Sequence, residues 1–297
     1  MEIQLDRIVT PFNLTHTLEC GQVFRWKTIG GWLYGVVRGK VIKIRQIGDR
    51  LQFQSFPERV DANFIRNYFR LDDDLPFILS EISKDGHIKK AIQHFYGLRI
   101  TRQEPWECLI SYVCATYKNI PAIKEMIRNL CRQFGRKITF DGYSFYTFPK
   151  PSDLAEASLE DVRKCRLGFR ARRVLETSQI IDNGELDLET LRQVDYEKAK
   201  LELVSLPGVG HKVADCVLLF SLDRLQAFPV DVWMKKIILE FYPEFFNQSF
   251  IETACKRRSI THHEYEKFSN FGKKYFGAYR GYAQEYLFHW KRLKQVV

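Results

Sequence analysis

The residue types best equipped for chemistry stand close together in the chain. Lys212 closes the run Leu206-Pro207-Gly208-Val209-Gly210-His211-Lys212, and Asp231 follows nineteen residues later in Pro229-Val230-Asp231-Val232. A lysine amine attacks electrophilic carbon only when neutral, and a helix N-terminus in a basic groove favours that state through desolvation and neighbouring positive charge. A carboxylate beside it would stabilise positive charge that develops as a bond breaks. Each residue also has a plain reading: a lysine at a helix start is ordinarily solvated, and Asp231 would N-cap the helix after it. The second pair of roles is compatible, because a capping carboxylate is rigidly aimed.

The glycines ahead of Lys212 suit a tight turn. Pro207 fixes one φ, while Gly208 and Gly210 allow backbone conformations that a side chain forbids, so the turn presents N–H groups where a helix begins. Such N–H groups hold phosphate. The run matches neither Gly-x-x-x-x-Gly-Lys-Ser/Thr nor Gly-x-Gly-x-x-Gly, which argues against a nucleotide cofactor. Cys216 falls one helical turn after Lys212, on the same face.

Composition narrows the partners. The 297 residues carry a net charge of +10 with a pI near 9.2, which favours a polyanion. Seven scattered cysteines, never spaced Cys-x-x-Cys, predict reduced thiols rather than a disulfide framework or zinc site. No signal pattern or long apolar run occurs, so an intracellular protein without a membrane partner is expected.

The elements that must position these groups divide the chain in two. Apolar residues alternate from Phe12 to Leu18, and Trp32–Val37, Val41–Ile44 and Leu51–Phe53 are β-branched and aromatic between turns at Arg38-Gly39-Lys40 and Gly48-Asp49, which predicts an antiparallel meander. Helices are expected from Asp61, over Phe77–Ile82 and over Ile88–Tyr96, with Asp72-Asp73-Asp74 at a solvated helix N-terminus. After Gly97 the pattern reads as helical throughout: Glu107–Thr116, a helix capped by Asn119 and ended by Gly135, one capped by Ser158 and ended by Gly168, then Glu176–Ile181, Leu188–Val194 and Tyr196–Val204. Beyond the turn come Asp231–Phe241, a helix opened by the Thr261-His262-His263-Glu264 capping box, and Tyr282–Leu293. The expected fold is α+β: an antiparallel sheet domain with flanking helices over residues 1–97, then a mostly helical region over 98–297 with the hairpin at about 204–220.

The order helix, Leu-Pro-Gly-Val-Gly hairpin, lysine, helix, Pro-Val-Asp resembles the helix-hairpin-helix DNA glycosylases, and among them the 8-oxoguanine DNA glycosylase branch. Cys20-Gly21-Gln22-Val23-Phe24-Arg25-Trp26, Gln103-Glu104-Pro105-Trp106-Glu107-Cys108, Leu167-Gly168-Phe169-Arg170-Ala171-Arg172 and Gly281-Tyr282-Ala283-Gln284 through Phe288 extend the resemblance over nearly the whole chain. The resemblance implies a bifunctional glycosylase and lyase of base-excision repair, with Lys212 as Schiff-base nucleophile and Asp231 as catalytic carboxylate. It implies base flipping, with Gln284 on the Watson–Crick edge, Cys216 and Phe288 sandwiching the ring, Pro229 touching it, and the Gly21 carbonyl accepting the N7 hydrogen that 8-oxoguanine has and guanine lacks. Phe169 would be the wedge left in the duplex and Arg170 the donor to the widowed cytosine; Tyr117, Asn119, Gly208 and Gly210 would also meet DNA. The carbonyls of Val204, Leu206 and Val209 would hold a structural monovalent or divalent cation, and no cofactor is implied for catalysis.

Four positions depart from the family pattern: Tyr117-Lys118-Asn119 in place of an asparagine run, Ala122 for an arginine, Trp233 for a histidine and Phe169 for a tyrosine. They bear on the base opposite the lesion rather than on the reaction. The expected partner is duplex DNA containing 8-oxoguanine, preferably opposite cytosine, bound by a monomer in the cytoplasm or nucleoid of a prokaryote or the nucleus of a eukaryote. Two rivals remain at this point: a glycosylase of the same superfamily for another damaged base, and a non-catalytic protein that uses the hairpin only as a phosphate grip.

Overall fold

The computed structural model describes residues 1–6 and 10–294. Its N-terminal part is a five-stranded antiparallel sheet of β1 (Glu2–Gln4), β2 (Lys27–Ile29), β3 (Trp32–Val37), β4 (Lys40–Ile47) and β5 (Arg50–Phe56), in the order β1-β5-β4-β3-β2. The β3–β4 register pairs Leu33 with Ile44 and Val37 with Lys40, so alternate residues face opposite sides. One side buries Val37, Ile42, Ile44 and Phe53 beneath α1 (Leu14–Glu19) and α2 (Ala62–Tyr68).

The expected alternation from Phe12 to Leu18 is corrected: Leu14–Glu19 is helical, with the Asn13 side chain accepting the His16 N–H at 2.9 Å. Leu14, Thr17 and Leu18 fall at i, i+3 and i+4 and bury one helical face, which a strand reading mistakes for alternation. Next come α3 (Leu75–Ile82) and α4 (Gly86–His94). Of the acidic triplet, Asp74 caps α3, while Asp72 and Asp73 pair with Arg102.

Beyond Gly97 the expectation of helices throughout also needs correction. After α5 (Pro105–Ala115) and α6 (Ile120–Phe134) the chain forms a hairpin of β6 (Lys137–Phe140) and β7 (Tyr143–Tyr146). That hairpin covers the other face of the N-terminal sheet: Tyr34 stacks on Phe145 at 5.7 Å, and Asp141 takes hydrogen bonds from Tyr34 and Lys43 at 2.9 and 2.6 Å. The aromatic alternation of residues 137–146 therefore serves an interface formed with strands about a hundred residues away.

The chain continues through α7 (Pro151–Ala155), α8 (Leu159–Lys164), α9 (Arg170–Asp182), α10 (Tyr196–Val204), α11 (His211–Ser221), α12 (Val232–Phe241), α13 (Gln248–Cys255), α14 (His262–Phe276) and α15 (Arg280–Lys294). Gly168 does not end α8, which stops at Lys164; at φ +59° it turns the chain into α9. Leu188–Val194 is not a regular helix, since only the 3-10 turn Thr190–Arg192 forms there. Three helices among the described residues, α5, α11 and α15, are buried around most of their circumference and share one core that also takes in α3 and α4. No helix among the described residues is long and apolar enough to cross a membrane.

Candidate active site

Four helix starts open on one cavity of about 840 Å³: Asn119 to Pro121 at α6, Gly210 to Val213 at α11, Asp231 to Trp233 at α12, and Thr261 with His262 at α14. Each start leaves N–H groups pointing outward and the positive end of a helix dipole facing the same space, a setting suited to anions. Glycine shapes the most open of them. Gly208 sits at φ +80°, with its Cα face against Arg173, and Gly210 has nothing within 4 Å of where a Cβ would stand.

Lys212 lies in the first turn of α11, its ammonium 4.7 Å from the centre of the Tyr112 ring on α5, with the Cys216 thiol within its reach one turn on. Burial pushes that thiol up to about 12, so it stays a neutral, polarisable wall group. Asp231 is the N-cap of α12, its Oδ1 accepting the Trp233 and Met234 N–H groups at 2.9 and 2.8 Å. Burial raises its carboxyl above the usual range, opposed by the Lys212 charge and those two amides. The two residues are thus coupled electrostatically across the mouths of neighbouring helices. The expected cap is present, and the capped residue lines the cavity.

The opposite wall comes from α15 and from the segment after α1. Gln284 is 5% exposed and Phe288 half-buried, and both line the cavity with Pro229. Gly21 lies beside them at φ +111°, where a Cβ would come within 2.6 Å of Arg292 Nη1 and 3.5 Å of Phe288. Its neighbour Gln22 fixes this strand of chain: the side-chain amide donates to the Thr17 and Arg99 carbonyls and accepts from Thr101, while its backbone carbonyl accepts from Gln103 and Tyr112. Gly21 is held by a fully bonded buried network rather than by a flexible loop.

The rim is made by the turn between α5 and α6. Tyr117 stands at φ +55° and is 82% exposed, with Lys118 and Asn119 exposed beside it; the Asn119 side chain caps α6 through the Ala122 N–H. Phe169 is also exposed, braced by the guanidinium groups of Arg170 and Arg173 at 4.3 and 5.0 Å from its ring. Arg170, the expected donor to the widowed cytosine, is turned inward in the free protein. It is 2% exposed, and its guanidinium folds back onto the Thr116 and Leu167 carbonyls, where it ties the start of α9 to the end of α5.

At the hairpin, Val204 closes α10 and the Leu206 carbonyl accepts the Val209 N–H at 3.1 Å. Among the described residues no group of three or more His, Cys, Asp and Glu is placed to hold a metal. Sequence reasoning passed over Tyr112, Glu285 and Arg292, which share the cavity wall. Position in the sequence marks none of them, because the ring, carboxylate and guanidinium reach the cavity through packing.

Comparison with known proteins places this geometry. Residues 4–109 match the family model described as 8-oxoguanine DNA glycosylase, N-terminal domain, and residues 110–247 match that of the HhH-GPD superfamily base excision DNA repair protein. The probable N-glycosylase/DNA lyase of Methanothermobacter thermautotrophicus is 30% identical, over 96% of this chain and 95% of its own. The N-glycosylase/DNA lyase OGG1 of Arabidopsis thaliana is 32% identical over 75% of this chain and 67% of its own. The Clostridium acetobutylicum 8-oxoguanine glycosylase/lyase, solved with duplex DNA containing cytosine opposite 8-oxoguanine, superposes with a TM-score of 0.85 at 33% identity, over 96% of this chain and 93% of that one. With a sheet domain of the first model, a helical region of the second, and near full-length relatives, the chain belongs to the N-glycosylase/DNA lyase family of 8-oxoguanine DNA glycosylases.

Proposed function

We propose that Lys212 and Asp231 carry out the glycosylase and lyase steps of this family on 8-oxoguanine flipped from duplex DNA into the cavity. The observation that carries this is the convergence of the α11 and α12 starts on one cavity, with the amine in the first turn of one and the carboxylate capping the other. The neutral Lys212 amine attacks C1′ and the base leaves with the bond electrons, while Asp231 stabilises the positive charge that develops on the sugar. The departing base anion takes a proton from the new C1′–ammonium, and opening of the C1′–O4′ bond, with O4′ taking the second amine proton, leaves an imine; this acidifies the C2′ proton, whose loss expels the 3′ phosphate and nicks the strand.

In this reading Gln284 meets the Watson–Crick edge, Cys216 and Phe288 flank the ring, Pro229 touches it and the Gly21 carbonyl takes N7–H. Phe169 enters the duplex, and Tyr117, Asn119, Gly208 and Gly210 meet the backbone or the orphan base. The preferred substrate carries cytosine opposite the lesion, and the enzyme acts as a monomer inside the cell. Val204, Leu206 and Val209 offer only neutral carbonyls, and one of these already accepts an N–H; that set suits a weakly held monovalent cation better than a divalent one. Such an ion would add positive charge beside a phosphate at the hairpin.

Borohydride trapping on an 8-oxoguanine duplex tests the assignment. The native protein should form a covalent adduct, and Lys212→Gln should bind the duplex without forming one. Undiminished adduct in that variant would move the nucleophile elsewhere, excision without any native adduct would favour a water-using glycosylase of the superfamily, and binding without excision would favour the phosphate-grip rival.

A further inference from the structure

Two acceptors on the cavity wall have nothing to accept. Gln284 and Glu285 are consecutive on α15, 5% and 2% exposed, and Oε1 of each is buried without a hydrogen-bond partner. Native interiors rarely leave such groups unpaired, so a pair of them side by side points to a ligand edge rich in donors. Glu285 occupies the side of α15 that faces Cys20-Gly21, with the Cys20 thiol beside its carboxyl. Three residues further along the same helix, Phe288 packs against Gly21.

The charged groups that could satisfy Glu285 are committed elsewhere. Arg292, on the same helix, donates to the Glu19 carbonyl and contacts His289 Nδ1 at 3.2 Å. Lys212, from α11, sits over the Tyr112 ring, and Asp231, at the start of α12, repels a second carboxylate. Burial pushes the Glu285 carboxyl up to about 7, with Cys20, Arg292 and Lys212 opposing the shift and Asp231 adding to it.

We propose that Glu285, in its ionised form, accepts a hydrogen bond from an N–H of the flipped purine and so acts as a specificity-determining residue of the base pocket. The inference rests on the reading that this cavity receives 8-oxoguanine. In that reading N7–H of the oxidised purine points to the Gly21 carbonyl, and Glu285 Oε1 shares this one hydrogen as a second acceptor in a three-centre bond; guanine has a lone pair there, which both oxygens repel. A donor favours the ionised carboxyl and a lone pair disfavours it, so preference for the oxidised base rises with pH across the titration of Glu285 and levels off above it. His211 and His262 also line the cavity, but they face the hairpin and α14 and would alter the binding of every duplex alike.

Equilibrium binding in a Lys212→Gln background, which prevents cleavage, separates the possibilities with three duplexes: 8-oxoguanine, guanine, and a tetrahydrofuran abasic analogue that has no base to read. Glu285→Leu should weaken 8-oxoguanine binding relative to the abasic duplex by about tenfold. Glu285→Gln, which keeps one neutral acceptor, should recover part of that loss. The 8-oxoguanine to guanine affinity ratio should rise with pH from about pH 7 upward with Glu285 present, because this background lacks the Lys212 charge that holds the carboxyl down, and stay flat in Glu285→Gln. Equal losses on all three duplexes would make Glu285 a packing residue and overturn the proposal, as would a ratio in the Glu285 protein that is flat or falls with pH. That last measurement needs no substitution at Glu285. A parent protein without any preference for 8-oxoguanine would overturn the functional reading itself, and this inference with it.

Discussion

The Asp231 carboxylate accepts two amides at the start of α12, yet its burial raises the carboxyl above the usual range. Because the folded value lies above the unfolded one, the charged form costs the fold stability. That cost is absent below the ordinary carboxylate range and grows as pH rises through the folded value. Asp231→Asn keeps a capping side chain and loses the charge. It should raise the melting temperature at neutral pH, with the gain shrinking as pH falls below the folded value and gone by about pH 3, and slow single-turnover excision by about 10²–10³ while lesion binding is retained. A wild-type rate in the folded variant would reduce Asp231 to a helix cap. Ala122 bears on the opposite base. Its side chain has no donor, and the Arg170 guanidinium is turned inward in the free protein, so a fork aimed at cytosine would cost its bonds to the Thr116 and Leu167 carbonyls. Excision opposite thymine, guanine or adenine should therefore lie within about tenfold of that opposite cytosine, and Ala122→Arg should widen the gap. Stringent cytosine dependence in the native protein would mean that Arg170 swings out on binding.

The hairpin and α11 act as one element, because the turn decides where the helix begins and so where Lys212 stands. Gly208 and Gly210 contribute to it differently. At Gly208 the backbone is left-handed, and a Cβ would come within 2.4 Å of Arg173 Cδ, whereas Gly210 has ordinary φ and open space before it. Gly208→Ala should cost about 1–2 kcal/mol of stability. Gly210→Ala should leave stability nearly unchanged but weaken duplex binding, since its methyl would stand where a phosphate approaches the helix N-terminus. Thermal unfolding and binding to undamaged duplex, measured on both variants, check this split. Equal losses of stability would show that the turn has no preferred strain site.

Over the whole molecule, a net charge of +10 and four helix starts around one cavity describe a surface made for a polyanion. If about six phosphates are neutralised, affinity for undamaged duplex should fall roughly a thousandfold between about 50 and 200 mM salt. A flat response would place the positive charge outside the DNA footprint. The site is also assembled over the longest separations the chain offers. Gly21 from near one end meets Phe288 and Arg292 from near the other, and the Gln103 N–H donates to the Phe220 carbonyl to tie the segment ahead of α5 to the end of α11. Stability of the base pocket should therefore follow that of the whole fold, not of the hairpin alone.

Sequence by itself determined what local chemistry determines. The glycine turn, the Asn119, Ser158 and Asp231 caps, the Thr261 capping box and the bounds of α10 all depend on a few neighbouring residues, and the structure has each where the pattern places it. Tertiary structure decided the remainder, because burial is a property of neighbours far along the chain. Residues 14–19 carry a helical face that short alternation imitates, and the aromatic strands at 137–146 find their purpose only against Tyr34 and Val41. Arg170 stands in a motif that suggests an outward donor, yet an unpaired carbonyl at the end of α5 captures its guanidinium. Glu285 reads as one more charged residue on a helix until the packing of Cys20, Lys212 and Arg292 around it removes water and leaves an oxygen unpaired. Backbone propensity acts within a turn or two of helix, whereas the desolvation that sets the charge and hydrogen-bonding state of a side chain is decided by the fold as a whole.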